Sequence, residues 1–167
     1  SSRPDLNCGI SLNALVGNQG EEFTFGGGYV AGYGDNNYFY DGYTNQMSVG
    51  GISWSNENDL NVQRVGLAGA GTQNAAIAIG GGRNVGVGAN SLKCTEEWNG
   101  STWSNVTSST SSHVNATQSS MGIQTAALLA SGGAPLVTAC ELYDGTNWSN
   151  TASVSTARYE PGSSGTS

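Results

Sequence analysis

The chain has 167 residues, 26 of them glycine, with 10% charged residues and a formal net charge of −7. That length suits one domain with a real core, whereas five basic residues cannot build a basic stripe, so neither nucleic acid nor an anionic lipid surface is an expected partner. No apolar run approaches the length of a membrane-spanning helix, which argues against membrane insertion, and four Trp and seven Tyr at patterned places argue against disorder.

The sequence opens with SSRPD, without Met or a basic stretch leading into an apolar one, so no signal peptide is expected and the chain reads as processed or cut from something longer. A first unit, residues 3–56, carries GNQGEEFTFGGG at 17–28, an apolar strand ended by glycines. The following stretch, YVAGYGDNNYFYDGYTNQ at 29–46, holds five of the seven tyrosines. Aromatic faces stack on sugar rings while amides and carboxylates bond the hydroxyls. Tyr29, Tyr33, Asp35, Asn36, Asn37 and Tyr43 therefore form the candidate glycan-binding set, with the three tyrosines in loops. Tyr38 and Tyr40 are expected to hold the places taken by Glu96 and Trp98 in the next unit, and so to pack between sheets. Asp35, Asn37 and Asp41 alternate, but Phe39 and Tyr40 interrupt the ligand pattern of a calcium loop, so no metal is expected.

The second unit, 64–106, offers four strands at about 65–70, 74–80, 93–98 and 102–106, divided by Gly, Asn and Ser clusters. GLAGAGTQ at 66–73 lacks the Lys of a phosphate-cradling loop and reads as strand and turn. GTQNAAIAIGGG at 71–82 returns as GIQTAALLASGG at 122–133 in a third unit, 113–151, after which 152–167 begins a further unit or a tail. Gln19, Gln73 and Gln124 recur at spacings of 54 and 51, and Trp54, Trp103 and Trp148 at 49 and 45. Such a period lies in the range of four-stranded propeller blades.

EEWNGSTWSN at 96–105 has a near copy in ELYDGTNWSN at 141–150. Asn-Gly between extended residues predicts a two-residue hairpin turn, with Glu96 opposite Trp103 and with Glu96, Trp98 and Trp103 on one face. Glu141, Tyr143 and Trp148 repeat that face. A carboxylate among packed aromatics needs a partner. Arg64 and Arg158, each ten residues past a Trp, are the candidates, and His113 takes the same place in the middle copy. His113 is the only histidine, and this position points to a junction or solvated role rather than to catalysis. With no metal-ligand cluster in the sequence either, no catalytic residue and no cofactor are expected. Cys8, Cys94 and Cys140 are odd in number and are expected to be unpaired thiols. Asn99, Asn105, Asn115 and Asn147 meet the glycosylation pattern, two of them through the turn chemistry of the repeat.

The strings AAIAIGGG, EEWNGSTW, LLASGG and ELYDGTNW, with Arg64 and Arg158, resemble the kelch repeat across nearly the whole chain. The wording is similar to a variant in structural, tail or fibre proteins of aquatic bacteriophages. It departs from the usual repeat in its five-residue interval from Tyr to Trp and in Trp98 replacing Tyr. The resemblance implies an all-β, kelch-like β-propeller of three four-stranded antiparallel units, either an incomplete ring or part of a larger or oligomeric propeller. It further implies a non-enzymatic structural or adhesion module on a virion surface or outside the cell. Its partners would be other copies or the rest of a longer chain at the sheet edge, other virion proteins, and a host surface glycan. A self-assembling filament or adhesin subunit and a fragment of a carbohydrate-active kelch-type enzyme are the alternatives.

Overall fold

Alternating apolar residues punctuated by glycine favour strands over helices, and every regular element in the described part of the chain is a strand. The computed structural model describes residues 14–18, 21–26, 28–30, 38–40, 44–47, 54–82, 91–113, 120–132, 136–158 and 161. In order these form β1 (Ala14–Asn18), β2 (Glu21–Phe25), β3 (Gly28–Val30), β4 (Tyr38–Tyr40), β5 (Thr44–Met47) and β6 (Trp54–Glu57). They continue with β7 (Ala68–Thr72), β8 (Ala75–Ile79), β9 (Thr95–Trp98) and β10 (Trp103–Val106). The last four are β11 (Ser120–Ile123), β12 (Ala126–Gly132), β13 (Val137–Tyr143) and β14 (Trp148–Thr151).

Three antiparallel four-stranded sheets result, ordered β1-β2-β5-β6, β7-β8-β9-β10 and β11-β12-β13-β14, with β3 and β4 as a separate two-stranded hairpin. The first sheet corrects the sequence reading. Its third strand is β5, in which Met47 pairs with Trp54 as Trp98 pairs with Trp103. Met47 thus holds the place of Trp98 and Asn45 that of Glu96, whereas Tyr38 and Tyr40 lie in the extra hairpin. Tyr29 is also in a strand rather than a loop, paired with Phe39.

The sheets pack face to face. Ala14, Val16, Phe23 and Phe25 of the first meet Ala76, Ala78, Trp98 and Trp103 of the second, with Leu60 and Leu67 closing the cluster. The opposite face of the second sheet, Ala68, Ala70, Ile77 and Ile79, meets Ala127, Leu129, Tyr143 and Trp148 of the third. Period-two alternation gives the middle sheet two apolar faces, and both are covered. The first strands gather, with β7 lying against both β1 and β11.

A tight bend marks the end of the second strand of each sheet, just past β2 and β8 and, in the third sheet, at the register shift within the last residues of β12. Gly26 and Gly80 take φ of +70° and +61° there, and Ser131 takes +61° at the third such place. A Cβ on Gly80 would come within 2.6 Å of the His113 carbonyl oxygen, so the bend also seats the strand-to-sheet connection closely. Ser131 tolerates the conformation with its hydroxyl engaged: Oγ donates to the Val137 carbonyl at 2.9 Å and accepts from the Arg158 N–H at 3.1 Å.

Candidate functional site

The charged groups of the repeat meet at the joints between sheets. After β6 the chain bends at residues 61–62, and after β10 it bends at 110–111, before entering the next sheet. Peptide N–H groups at such a bend have no strand partner, so an acceptor must come to them from another element.

Glu96, on β9, supplies it at the first joint. Its carboxylate accepts from Asn61 N–H at 2.7 Å, Val62 N–H at 3.2 Å and Arg64 Nη1 at 2.8 Å. Both side chains of the ion pair are 0% exposed. Arg64 also donates to the Ala78 carbonyl at 3.2 Å, tying the joint to β8. Its guanidinium lies against the Cys94 thiol, whose pKa burial raises and the neighbouring Arg64 partly lowers.

The second joint repeats this with its loop 49 residues on and its glutamate 45 residues on. Glu141, on β13, accepts from Thr110 N–H at 2.7 Å, Ser111 N–H at 2.8 Å and His113 Nε2 at 3.1 Å. His113 Nδ1 donates to the Ser131 carbonyl at 2.8 Å. Both ring nitrogens thus face oxygen atoms, one of the Ser131 carbonyl and one of the Glu141 carboxylate. Burial alone would raise the Glu141 pKa, but hydrogen bonds from His113 and the two amides outweigh it and hold it at about 2, below the usual 4.5.

Aromatic groups complete each joint. Phe23, Phe25, Trp98 and Trp103 form one cluster with ring centroids 4.9–6.1 Å apart, and Trp103 Nε1 crosses to Thr44 Oγ1 at 3.0 Å. At the second joint Tyr143 and Trp148 lie 5.0 Å apart, and the Tyr143 hydroxyl donates to Glu97 at 2.8 Å across the sheets. Burial and that carboxylate raise the Tyr143 pKa. Gln124 clamps the same sheets, donating to the carbonyls of Ala76 at 3.0 Å and Trp98 at 2.6 Å.

Two expectations need correction here. The hairpin turns contain four residues, not two: Trp98 pairs with Trp103 and Glu96 with Asn105. The cause is the side chain that opens each turn. Asn99 Oδ1 accepts from Ser101 N–H at 3.0 Å and Thr102 N–H at 2.9 Å, and Asp144 Oδ1 accepts from Thr146 N–H at 2.9 Å and Asn147 N–H at 2.7 Å. The shared face of Glu96, Trp98 and Trp103 is the same in either register. The second correction concerns Arg158, which is exposed and pairs with neither glutamate, His113 having taken Glu141.

Trp54 opens β6. Tyr33, Asp35, Asn36, Asn37, Tyr43, Asn115 and Cys8 lie outside the described residues, while Asn99, Asn105 and Asn147 are exposed. Cys94 and Cys140 are unpaired. The amides of residues 61, 62, 110 and 111 escaped the sequence reading, because a backbone donor leaves no trace in residue type. The equal 49-residue offset of both loops was the available signal.

No family model and no curated protein matches the chain. The solved structure of YjhT is similar in fold over 92% of this chain, with a TM-score of 0.70 and 13% sequence identity. The matched portion is 58% of that longer chain.

Proposed function

We infer that this chain is an arc of a kelch-like β-propeller acting as a non-enzymatic structural and display module, on a virion surface or outside the cell. The gathering of the first strands, the repeated face-to-face joints and the spacing of Trp and Gln support the propeller reading. The single observation that carries the display role is the β3–β4 hairpin. Four residues, 133–136, join the second strand to the third in the third sheet and fifteen, 80–94, in the second, whereas the first sheet uses eighteen, 26–43, and folds part of them into a hairpin of their own. Joining strands does not require that length; a tyrosine-rich insertion on a rigid sheet is a means of presenting a contact surface.

His113 supports a structural role for the charged groups, because it is buried with both nitrogens engaged and so is not placed to relay protons to a substrate. The ligand class suggested by Tyr29, Tyr33 and Tyr43 among Asp and Asn is a glycan. A glycan array read with the native chain and with the triple variant Tyr29→Ala, Tyr33→Ala, Tyr43→Ala tests this. Binding by the native chain that disappears in a folded variant is the expected result, and undiminished binding in the variant would refute the assignment.

A further inference from the structure

The chain bends a third time at residues 155–156, after β14. Ser155, Thr156 and Arg158 stand 45 residues past Thr110, Ser111 and His113, and the loop is held in the same register. Val154 N–H donates to the Thr138 carbonyl at 3.0 Å, as Ser109 N–H donates to that of Lys93 at 2.9 Å. Arg158 meets the bend at Ser131, as His113 meets the bend at Gly80 and Arg64 the bend at Gly26. The two donor amides and the cation are therefore in place, but among the described residues no carboxylate reaches them, and Arg158 is exposed where Arg64 and His113 are buried.

The sheet face beside this loop is also uncovered. Leu142 and Ile123 are each 45% exposed, and Leu142 with Met121 and Leu128 borders a shallow depression of about 530 Å³. Met121 and Leu128 correspond to Ala70 and Ile77 of the second sheet, which are buried against the third. Leu142 corresponds to Glu97, whose carboxylate takes the Tyr143 hydroxyl.

We propose that this loop and face are a docking surface for one further sheet of the same repeat. Its third strand brings a glutamate to Ser155, Thr156 and Arg158, and two residues later a ring without a hydroxyl to Leu142. A Tyr at that position would lose the acceptor that Glu97 provides, whereas Trp98 shows the suitable arrangement, its Nε1 bonded within its own sheet to the Gln73 carbonyl at 3.0 Å. The first sheet of a second copy does not fit this description, since Asn45 stands where the glutamate belongs and Met47 where the ring belongs. The proposal rests on the reading of the chain as an arc of repeated sheets, but not on glycan display.

The test extends the chain after Arg158 with a copy of residues 65–106 in place of 159–167, and reads amide hydrogen exchange at Ser155 and Thr156. Relative to the native chain, exchange at both amides is expected to slow by about tenfold or more, the effect of a hydrogen bond to a charged acceptor. Glu96→Gln made only in the appended copy is expected to reverse most of that slowing. Unchanged exchange in the extended chain, or equal slowing with the Gln copy, would overturn the proposal. So would concentration-dependent association of the native chain that Arg158→Ala abolishes, because it would assign the surface to a second copy. None of these outcomes changes with the tyrosine variants above, so a failed glycan reading and a failed docking surface are separable.

Discussion

The two joints of this molecule use the same carboxylate geometry with different company. At the first, Glu96 holds two loop amides and a guanidinium beside four packed aromatic rings. At the second, Glu141 holds two loop amides and an imidazole beside two rings and several small aliphatic side chains. What is constant is the carboxylate and the bent backbone; what varies is the third donor and the apolar filling. The comparison teaches that the joint is defined by acceptor and amides, with the third donor interchangeable between Arg and His.

Breaking the larger joint should cost most. Trp98→Ala removes a fully buried ring from the four-ring cluster and is expected to destabilise by about 3–5 kcal/mol in denaturant unfolding. Glu96→Ala leaves Arg64 buried without its counter-charge, and a loss of similar size, about 3–5 kcal/mol, is expected. His113→Ala should cost less, about 2 kcal/mol, because the two amides still hold Glu141.

Acid sharpens the contrast further. The folded pKa of Glu141 lies at about 2, below the ordinary 4.5. Its contribution is therefore fully present above pH 4.5 and is lost as pH falls toward 2. Unfolding midpoints followed over that window should fall less steeply in Glu141→Gln than in the native chain. Smaller still, Tyr143→Phe removes one inter-sheet hydrogen bond to Glu97 and should cost about 1 kcal/mol. In the native chain Arg158→Ala, at an exposed side chain, should change stability by less than about 0.5 kcal/mol.

Much of the second and third sheets was legible in the sequence, and for a physical reason. Gly-Gly bends, alternating apolar residues and the Glu-x-aromatic strand each leave residue types that a repeat reveals. The first sheet was misread because Thr44–Met47 offers no aromatic, while Tyr38-Phe39-Tyr40 alternates more persuasively as a third strand. The turn register was misread because an Asn-Gly pair signals a two-residue turn, yet the Asn99 and Asp144 side chains close four-residue ones. The partner of Glu96 could be narrowed to an arginine by spacing. That His113 would serve Glu141 followed from the same spacing only once the joint was seen as acceptor plus amides.

Amide hydrogen exchange at the three bends, measured on the unaltered chain, tests the joint most directly. Asn61, Val62, Thr110 and Ser111 should be protected, each donating to a buried carboxylate, while Ser155 and Thr156 should exchange at the rate of open loops. Equal exchange at all three bends would contradict the claim that Glu96 and Glu141 hold the sheets together through those amides.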